Sequence, residues 1–430
     1  MPTTRTLKPV FGQKHRDYIN SAVSHTVSVA EGAVRAGKTI DNITAFAYMI
    51  DQGTPDRIHL VTGATVGTAK LNIGDANGFG LESIFRGRCR WGKYKGNEAL
   101  FIKSKDRTRE YIVIFAGGGK ADSYKRIRGN SYGMWMATEI NLHHKEMIKE
   151  AFNRQLAARV RRVFWDLNPI NPGAWIYREY INRLPDMFPG QYNYEHFTLF
   201  DNATLTPERI EEVKAQYVPG SIWYKRDIDG ERCAAEGLIY PMYLDALEET
   251  YTGQRYDYVI SIDYGTMNPF AALKWVKGTD GTWHCIEEYY YSGRETNHQK
   301  TDNDYVRDMV DFTADHGQGD IRVIVDPSAT SFITALRRNE DRSFKVLEAV
   351  NDVDSGIQDT ASCLQKTQAL VKISNKCTRT IGEFGGYVWD ENEEKDKPVK
   401  ENDHAMDAMR YFVKTMRVYR ADRDEYQAIF

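Results

Sequence analysis

The sequence predicts an α/β protein with two domains in series, and three observations indicate this. The chain has 430 residues, about twice the commonest domain length, so one hydrophobic core is not expected to serve all of it. The first half alternates β-branched runs with helical patterns, which is typical of a parallel sheet covered on both faces. The second half opens with three consecutive strand-like runs and alternates only afterwards, which predicts a second sheet of different topology.

Composition excludes several classes of protein. The chain has 57 Lys and Arg against 60 Asp and Glu, a formal net charge of −3, so it lacks the uniformly basic surface of a histone-like packaging protein. No apolar run approaches the roughly 20 residues of a membrane helix, and the N-terminal residues lack the apolar core of a signal peptide. The five cysteines are scattered without a CxxC pair, which argues against structural zinc. We expect a protein without a membrane span that stays where it is made.

The elements of the first half follow from periodicity. Apolar residues at helical spacing predict a helix over 38–52, directly after the first strand, and a second helix over 144–159. Between about 171 and 251 the pattern weakens into aromatic, Pro- and Gly-containing segments. The predicted strands are 26–30, 58–62, 110–116, 132–137 and 161–166.

The second half predicts an antiparallel meander over 256–263, 270–277 and 282–291, followed by a helix over 304–315 and a buried strand over 321–326. Further helices are expected over 330–338 and 401–415. A meander followed by alternation is the order of an RNase H-like fold. The predicted layout is a first domain over 1–240 with a small linker subdomain over about 171–240, a linker over 241–254, and a second domain over 255–430.

A phosphate-binding motif lies between the first predicted strand and helix. It satisfies GxxxxGK[ST] in the strand–turn–helix context that the motif requires, and the alternative is a chance Gly-rich turn. In such a loop, backbone N–H groups surround phosphates, Lys38 reaches the β- and γ-phosphates, and the Thr39 hydroxyl binds Mg²⁺. The sequence therefore predicts an ATP site with Mg²⁺ in a P-loop domain of the RecA/ASCE-like type, formed by Gly32, Ala33, Val34, Arg35, Ala36, Gly37, Lys38 and Thr39.

Further residues are candidates for hydrolysis at this site. Glu139 follows a buried strand, and we expect it to be the base that orients water. The preceding position, usually a metal-anchoring Asp, is Thr138; either its hydroxyl holds a metal-bound water or another group helps. Asn168 follows another strand, where a γ-phosphate sensor is expected, and Gln13 is a candidate for reading the adenine edge. Arg35 either contacts phosphate or reaches a neighbouring subunit as an arginine finger, the alternative being a solvated loop side chain.

Acidic residues predict a second site. Asp263 and Asp326 each end a predicted strand, while Asp403 and Asp407, four residues apart, share one face of the last helix. Hard oxygen ligands without cysteine favour Mg²⁺ or Mn²⁺, and two such ions about 3.5–4 Å apart catalyse phosphodiester cleavage in many nucleases. His404 is expected to contact the scissile phosphate or to support a ligand. The alternatives are that Asp263 and Asp326 form turns at the strand ends and that Asp403 is a helix N-cap. Glu287 and Glu288 are further candidate metal ligands, held in reserve.

With these residues in place, the chain resembles the large terminase subunit of tailed bacteriophages over nearly its whole length. In the first half the resemblance rests on the phosphate loop, the strand ending at Glu139 and the Asn168-Pro169 coupling segment. It is strongest in the second half, through the segments SIDYGTMNP (261–269), QKTD (299–302), VDPS (325–328), DV (352–353) with GI (356–357), YVWD (387–390) and DHAMDAMRY (403–411).

The resemblance implies an ATPase joined to a nuclease that cuts concatemeric viral DNA and pumps one genome into a procapsid. It implies nuclease ligands at Asp263, Asp326 and the Asp403 to Asp407 helix, with the inner ligand of the last pair left open. The implied partners are double-stranded DNA, a small terminase subunit, the portal of the procapsid and other copies of this chain in a ring, in the host-cell cytoplasm. Two alternatives are an ATP-dependent repair or transposition-type nuclease, and a nucleotide-switch scaffold with a vestigial nuclease.

Local basic clusters are the predicted DNA contacts, because phosphate-binding side chains give salt-dependent, sequence-tolerant binding. An ordinary solvated face is the alternative for each cluster. The clusters are Lys103 to Arg109, Lys120 with Lys125, Arg126 and Arg128, and Arg154 with Arg159, Arg161 and Arg162.

Overall fold

The structure is a computed structural model that describes residues 9–317, 319–365, 369–390 and 396–420. The chain divides into two units, Met1–Ala234 and Ala235–Phe430. In the described part of the chain, no helix combines the length and apolar character needed to cross a membrane. The first eight residues, part of the stretch that lacks a signal-peptide pattern, lie outside the described residues.

The first unit is built on one eight-stranded sheet. Its strands are β1 (Val27–Gly32), β2 (Ile58–Gly63), β3 (Cys89–Tyr94), β4 (Asn97–Lys103), β5 (Glu110–Gly117), β6 (Met134–Ala137), β7 (Arg162–Leu167) and β8 (Tyr192–Phe197). The strand order is β3-β4-β5-β2-β6-β7-β1-β8. From β5 to β8 the neighbours are parallel, whereas β3 and β4 pair antiparallel at one edge. The carboxyl ends of β6, β7, β1 and β8 therefore lie along one edge of the sheet.

Helices cover both faces of this sheet. They are α1 (Gln13–Ala22), α2 (Lys38–Asp51), α3 (Val66–Ala69), α4 (Leu81–Ile84), α5 (Lys145–Arg154), α6 (Trp175–Glu179), α7 (Leu184–Met187), α8 (Pro207–Lys214) and α9 (Ile222–Asp227). Phe46 of α2 belongs to the apolar core on one face, and Met147 of α5 belongs to the core on the other. Burial on both faces explains why β1 is a continuous run of buried residues rather than an alternating one.

The five strands predicted in the first half are confirmed to within two residues. The helix predicted over 144–159 is shorter: α5 ends at Arg154, because the Gln155 side chain turns back to donate to the carbonyls of Gly133 and Arg162. Sequence reasoning missed the β3–β4 hairpin, whose two-residue turn at Lys95 and Gly96 has positive φ at both positions. It also missed β8, which lies within 171–240 and pairs with β1.

The second unit contains a seven-stranded sheet. Its strands are β9 (Leu247–Glu248), β10 (Arg255–Asp263), β11 (Phe270–Gly278), β12 (Trp283–Tyr291), β13 (Ile321–Val325), β14 (Phe344–Glu348) and β15 (Val371–Ser374). Its helices are α10 (Gly293–Thr296), α11 (Asp302–Phe312), α12 (Thr330–Arg338), α13 (Val353–Cys363), α14 (Thr378–Gly386) and α15 (His404–Met416). The strand order is β14-β13-β10-β11-β12-β15-β9.

The meander β10–β11–β12 is antiparallel, and β13 and β14 add to β10 in parallel. This confirms the RNase H-like order predicted for the second half. The predicted helices over 304–315, 330–338 and 401–415 correspond to α11, α12 and α15. Sequence reasoning missed β14, β15, α13 and α14, and β9 lies within the segment predicted as a linker.

Helix α15 packs on the meander through aromatic contact. The Phe412 ring stacks on Trp275 with centroids 4.1 Å apart and planes 2° from parallel, and Trp283 meets the same ring edge-on at 5.1 Å. The Trp275 indole N–H donates to Ser261 Oγ on β10 at 2.9 Å. Because Phe412 is fully buried, this contact fixes α15, and the acids at its start, against β10 and β11.

We therefore expect Phe412→Ala to destabilise the second unit by about 3–5 kcal/mol, since it removes a buried aromatic ring and leaves a cavity. The measurement is urea unfolding of the full chain. The matched control is Tyr256→Ala, whose ring is 66% exposed in the same unit and whose loss should change the free energy of unfolding by less than about 0.5 kcal/mol. Equal losses in the two variants would contradict this packing.

Candidate functional site

The phosphate-loop motif forms the connection between β1 and α2. Gly32 has a φ of 149° and Gly37 a φ of 98°, conformations that L side chains rarely adopt. A Cβ on Gly32 would lie 1.8 Å from the Phe197 carbonyl oxygen at the end of β8. A Cβ on Gly37 would lie 3.2 Å from the His15 ring. The first glycine of the motif is therefore required by close backbone packing against β8.

Lys38 is buried within the loop, with 6% of its surface exposed. Its ammonium donates to the carbonyls of Gly32, at 2.8 Å, and Ala33, and to Asn168 Oδ1 at 3.0 Å. Burial lowers the pKa of Lys38 to about 8, although nearby carboxylates, Asp166 foremost, oppose that shift. The structure thus brings Lys38 together with Asn168, the residue predicted as a γ-phosphate sensor.

The remaining loop residues are held by backbone contacts. The N–H groups of Ala33 and Val34 donate to the carbonyls of Phe197, at 2.7 Å, and Asp227, at 3.2 Å. Ala36 is buried, and Thr39 is the second residue of α2. These bonds give the loop a defined shape between β8 and α9.

Arg35 has a φ of 62°, and its side chain is exposed at the tip of the loop. Its carbonyl accepts from Asn202 Nδ2 at 2.6 Å, so the backbone is fixed while the guanidinium faces solvent. Both roles named for Arg35 therefore stay predictions.

Glu139 follows β6 with a φ of 52°, an uncommon backbone conformation for a residue with a side chain. Its N–H donates to Asp166 Oδ1 at 3.1 Å, and the Thr138 hydroxyl donates to the same oxygen at 3.0 Å. Asp166 lies in β7, and burial raises the pKa of its carboxyl to about 6. Asp166 is the last residue of the strand predicted over 161–166, and no role was predicted for it.

The hydrogen bonds of the Gln13 side chain are made within α1 and not with the phosphate loop. Its side chain is exposed on the first turn of α1, where it bonds Asp17 at 2.7 Å and Arg16 at 3.1 Å. His15 is the buried residue of this turn: it bonds Asp41 Oδ2 at 2.6 Å and stacks on Phe197 at 4.7 Å. No sequence signal distinguished this histidine, and the adenine role of Gln13 stays a prediction.

In the second unit, Asp263 and Asp326 lie side by side. Strands β10 and β13 are parallel, with Ile262 opposite Val325, so the next residue of each strand is one of the two acids. Asp326 accepts from the Ser328 N–H at 2.8 Å and from Asn351 Nδ2 at 2.9 Å. Burial alone would raise the pKa of Asp326, but these hydrogen bonds outweigh it and lower the pKa. The strand-end placement predicted for both acids is confirmed.

The start of α15 brings the remaining acids to the same edge. His404 Nδ1 lies 2.8 Å from Asp263 Oδ2, and Arg410 donates to Asp407 Oδ1 at 2.7 Å. Lys400 lies 3.4 Å from Asp403 and 3.7 Å from Asp407, so both acids face the same cation. Asp403 is the N-cap residue of α15, the alternative position named for it; its carbonyl accepts from the Asp407 N–H at 2.8 Å, but its side chain makes no cap hydrogen bond. Burial raises the pKa of the Asp263 carboxyl; the His404 hydrogen bond opposes this, and the charges of Asp407 and Asp403 add to it.

Two residues that sequence reasoning missed complete this edge. Glu383 of α14 accepts from the N–H groups of Ala405, at 2.6 Å, and Met406, at 3.2 Å, and so caps α15. Tyr411 is buried, and burial together with the charges of Asp263, Asp407 and Asp326 raises the pKa of its hydroxyl. Glu383 stands in no motif, and Tyr411 ends the segment DHAMDAMRY, for which no role of the tyrosine was predicted.

The acids are paired with protein cations and hydrogen-bond donors rather than with one another. Among the described residues, no three His, Cys, Asp or Glu side chains are grouped closely enough, as placed, to hold a metal ion. The metal-ligand assignments therefore stay predictions. The reserve ligands have structural roles: Glu288 accepts from the N–H groups of Arg379 and Thr380 at the start of α14, and Glu287 pairs with Lys274.

Comparison with known proteins decides the family. No profile of a known protein family matches the chain, and no curated protein matches it at a significant level. Among solved structures, the large terminase from a thermophilic bacteriophage superposes with a TM-score of 0.78 at 30% identity, covering 95% of this chain and 99% of that one. The same phage protein solved with ADP gives a TM-score of 0.74 at 30% identity, and solved with ATP-γ-S it gives 0.74 at 29% identity; each comparison covers 95% of this chain and 100% of that one. This chain belongs to the large terminase family.

Within this large terminase, the basic clusters have different surroundings. Lys125, Arg126 and Arg128 line a surface cavity of about 570 Å³ together with Lys95 of the β3–β4 turn. Arg161 is half-buried instead, with its guanidinium 5.2 Å from the Phe152 ring and 5.0 Å from the Phe188 ring, and Arg162 donates to the Val23 carbonyl. Arg161 and Arg162 therefore have structural contacts within the unit. This favours the cluster of Lys125, Arg126 and Arg128 as a phosphate-binding surface.

The phosphate loop yields a test of its geometry. We expect Gly32→Ala to destabilise the first unit by at least about 2 kcal/mol more than Gly87→Ala, because the new Cβ would collide with the Phe197 carbonyl. Gly87 is the matched control: its φ is also positive, at 77°, but nothing lies within 4 Å of an added Cβ. Thermal and urea unfolding of both variants measure the difference, and equal stability would show that the loop packs differently against β8.

Proposed function

We propose that this large terminase is a viral DNA-packaging motor subunit that hydrolyses ATP to move double-stranded DNA into a procapsid and cuts concatemeric DNA with Mg²⁺ or Mn²⁺. One observation carries the proposal: a single chain holds a phosphate loop at one sheet edge and neighbouring strand-end carboxylates at another. The similarity to the thermophilic phage terminase, over 95% of this chain, supports both halves.

The first unit supplies the groups that ATP hydrolysis needs. The loop N–H groups other than those of Ala33 and Val34 would bind the phosphates, with Lys38 exchanging its loop carbonyls for phosphate oxygens, and Glu139 would accept a proton from the attacking water. The Mg²⁺ held by Thr39 would neutralise charge on the phosphates when bound. Asn168, 3.0 Å from the Lys38 ammonium, would respond to the γ-phosphate. Complexes of the thermophilic phage terminase with ADP and with ATP-γ-S support nucleotide binding here.

The second unit supplies a donor set that fits Mg²⁺ or Mn²⁺. The candidate ligands are carboxylates on adjoining elements; Asp403 Oδ2 is buried, accepts no hydrogen bond from the described residues and faces the Lys400 ammonium at 3.4 Å. We propose Asp263 and Asp326 as inner ligands, with the third supplied by Asp403 or Asp407 at the start of α15. Two such ions would activate water and stabilise the leaving oxygen. His404, bonded to Asp263, would orient that carboxylate or contact the scissile phosphate.

DNA and protein partners belong to the same proposal. The cavity lined by Lys95, Lys125, Arg126 and Arg128 presents four cations with no apolar side chain among its lining residues, which suits a phosphate backbone rather than a base. The exposed Arg35 side chain would reach a neighbouring copy in a ring on the portal. A small terminase subunit, the procapsid and the host-cell cytoplasm complete the setting expected of such a motor.

Two alternatives use the same sites. A repair or transposition-type nuclease would need ATP without pumping DNA, and a nucleotide-switch scaffold would need a vestigial nuclease. Retention of Asp263 and Asp326 side by side argues against a vestigial nuclease, and full-length similarity to a terminase argues against a repair enzyme.

For the ATPase, we expect Lys38→Ala to lower ATP turnover at least about 100-fold while metal-dependent DNA cleavage stays within about twofold, because the phosphate contact is lost only in the first unit. Phosphate release and plasmid cleavage measure the two activities on the same preparation. Lys145→Ala, an exposed lysine at the start of α5, is the control. Loss of both activities in a folded Lys38 variant would contradict two independent sites.

For the nuclease, we expect Asp263→Ala and Asp326→Ala to reduce Mn²⁺-stimulated plasmid cleavage at least about 100-fold and to leave ATP turnover unchanged. Asp403→Ala and Asp407→Ala, assayed separately, should differ in residual cleavage, and the more damaged variant identifies the inner ligand. The control is Asp311→Ala, an exposed acid of α11. Cleavage at the wild-type rate by either strand-end variant would remove the metal assignment.

A further inference from the structure

The strand that ends at Glu139 lacks a carboxylate where an ATPase of this type usually anchors its metal ion, because the position is Thr138. The neighbouring strand supplies one. Strands β6 and β7 are parallel with Ala137 opposite Trp165, so Thr138 and Asp166 are the next residues of the two strands. The carboxyl that is missing from one strand is therefore present one strand away, in the same row across the sheet.

One carboxylate oxygen of Asp166 is available to bind a ligand. Its Oδ1 accepts from the Thr138 hydroxyl, at 3.0 Å, and from the Glu139 N–H, at 3.1 Å. Its Oδ2 is buried and accepts no hydrogen bond from the described residues. The side chain is only 3% exposed, and a buried carboxylate oxygen without a partner is costly unless something binds it.

The position of Asp166 relative to the phosphate loop is equally specific. Asp166 lies opposite Ala30 of β1, two residues before Gly32 opens the loop. Burial lowers the pKa of Lys38, and Asp166 is foremost among the carboxylates that oppose this. The unpartnered oxygen therefore belongs to a carboxylate that borders both the phosphate-binding lysine and the proposed catalytic Glu139.

We propose that Asp166 takes the place of the missing strand-end carboxylate and helps to hold the Mg²⁺ of the bound nucleotide. Through Oδ1 it also positions Thr138 and Glu139, so one carboxylate links the metal to the residue that orients water. This inference rests on the proposed ATPase function. It chooses between the two explanations left open for position 138: another group, rather than the Thr138 hydroxyl alone, supplies the metal contact.

The experiment measures nucleotide binding instead of turnover. ATP-γ-S is titrated calorimetrically into the full chain with Mg²⁺ and, separately, with EDTA; the ratio of the two affinities isolates the metal contribution at the nucleotide site. We expect Asp166→Asn to reduce that ratio at least about tenfold while leaving the affinity in EDTA within about twofold, because the amide keeps its hydrogen-bonding oxygen but loses the charged ligand. Asp186→Asn, an exposed acid of α7, should leave the ratio unchanged.

Two further variants keep the proposal testable if the buried substitution unfolds the chain. Thr138→Val should keep most of the Mg²⁺ effect, and the exchange variant Thr138→Asp/Asp166→Thr, which returns the carboxylate to β6, should recover it. Thermal unfolding reports whether each variant is folded. An undiminished Mg²⁺ effect in folded Asp166→Asn, or its loss in Thr138→Val alone, would overturn the assignment to Asp166. If the wild-type chain binds no nucleotide, the proposed ATPase function fails and this inference fails with it.

Discussion

Both sites depend on one constraint: adjacent parallel strands end at the same edge of their sheet. In the first unit, β6, β7 and β1 deliver Glu139, Asp166 and the phosphate loop to one edge of the sheet. In the second unit, β10 and β13 deliver Asp263 and Asp326 in the same manner. Parallel strands are joined by crossover connections, and these cover the faces of the sheet and bury its strands. The carboxyl ends of the strands, where the loops begin, are where a ligand can reach the sheet.

Burial of charge is the cost of such edges, and each unit offsets it with short hydrogen bonds. Lys38 lies among backbone carbonyls and Asn168 Oδ1, which replace part of its lost hydration. In the second unit, Arg410 is buried against Asp407 and the Asn351 carbonyl, while Glu383 accepts two N–H groups at the start of α15. Together with Lys400, which faces Asp403 and Asp407, these partners pair the acids with protein cations and N–H donors rather than with one another.

The sequence predicted features that depend on neighbouring residues in the chain, and it did not predict contacts between residues on different elements. The phosphate loop was predicted because its glycines, Lys38 and Thr39 are contiguous and each has a stereochemical reason to be there. Asp263 and Asp326 were predicted because each ends an apolar run, which indicates a strand end whatever its neighbours are. Glu383 and His15 act through contacts with residues 22 and 26 positions away, and no spacing rule reaches that far. The strands β8 and β14 were missed because their burial patterns are mixed and their β character comes from pairing.

Asp166 shows why a motif written along one strand is an incomplete description of a site. Neighbouring strands lie about 4.8 Å apart, comparable to the step between alternate residues along a strand, so a carboxylate moved sideways by one strand remains near the same phosphate. The move changes what else the group can do: on β7 its carboxylate accepts from the Thr138 hydroxyl and from the Glu139 N–H. The uncommon backbone conformation of Glu139 is thereby tied to the same carboxylate that borders Lys38. A substitution that looks like the loss of a metal ligand is, in three dimensions, consistent with its transfer to the adjoining strand.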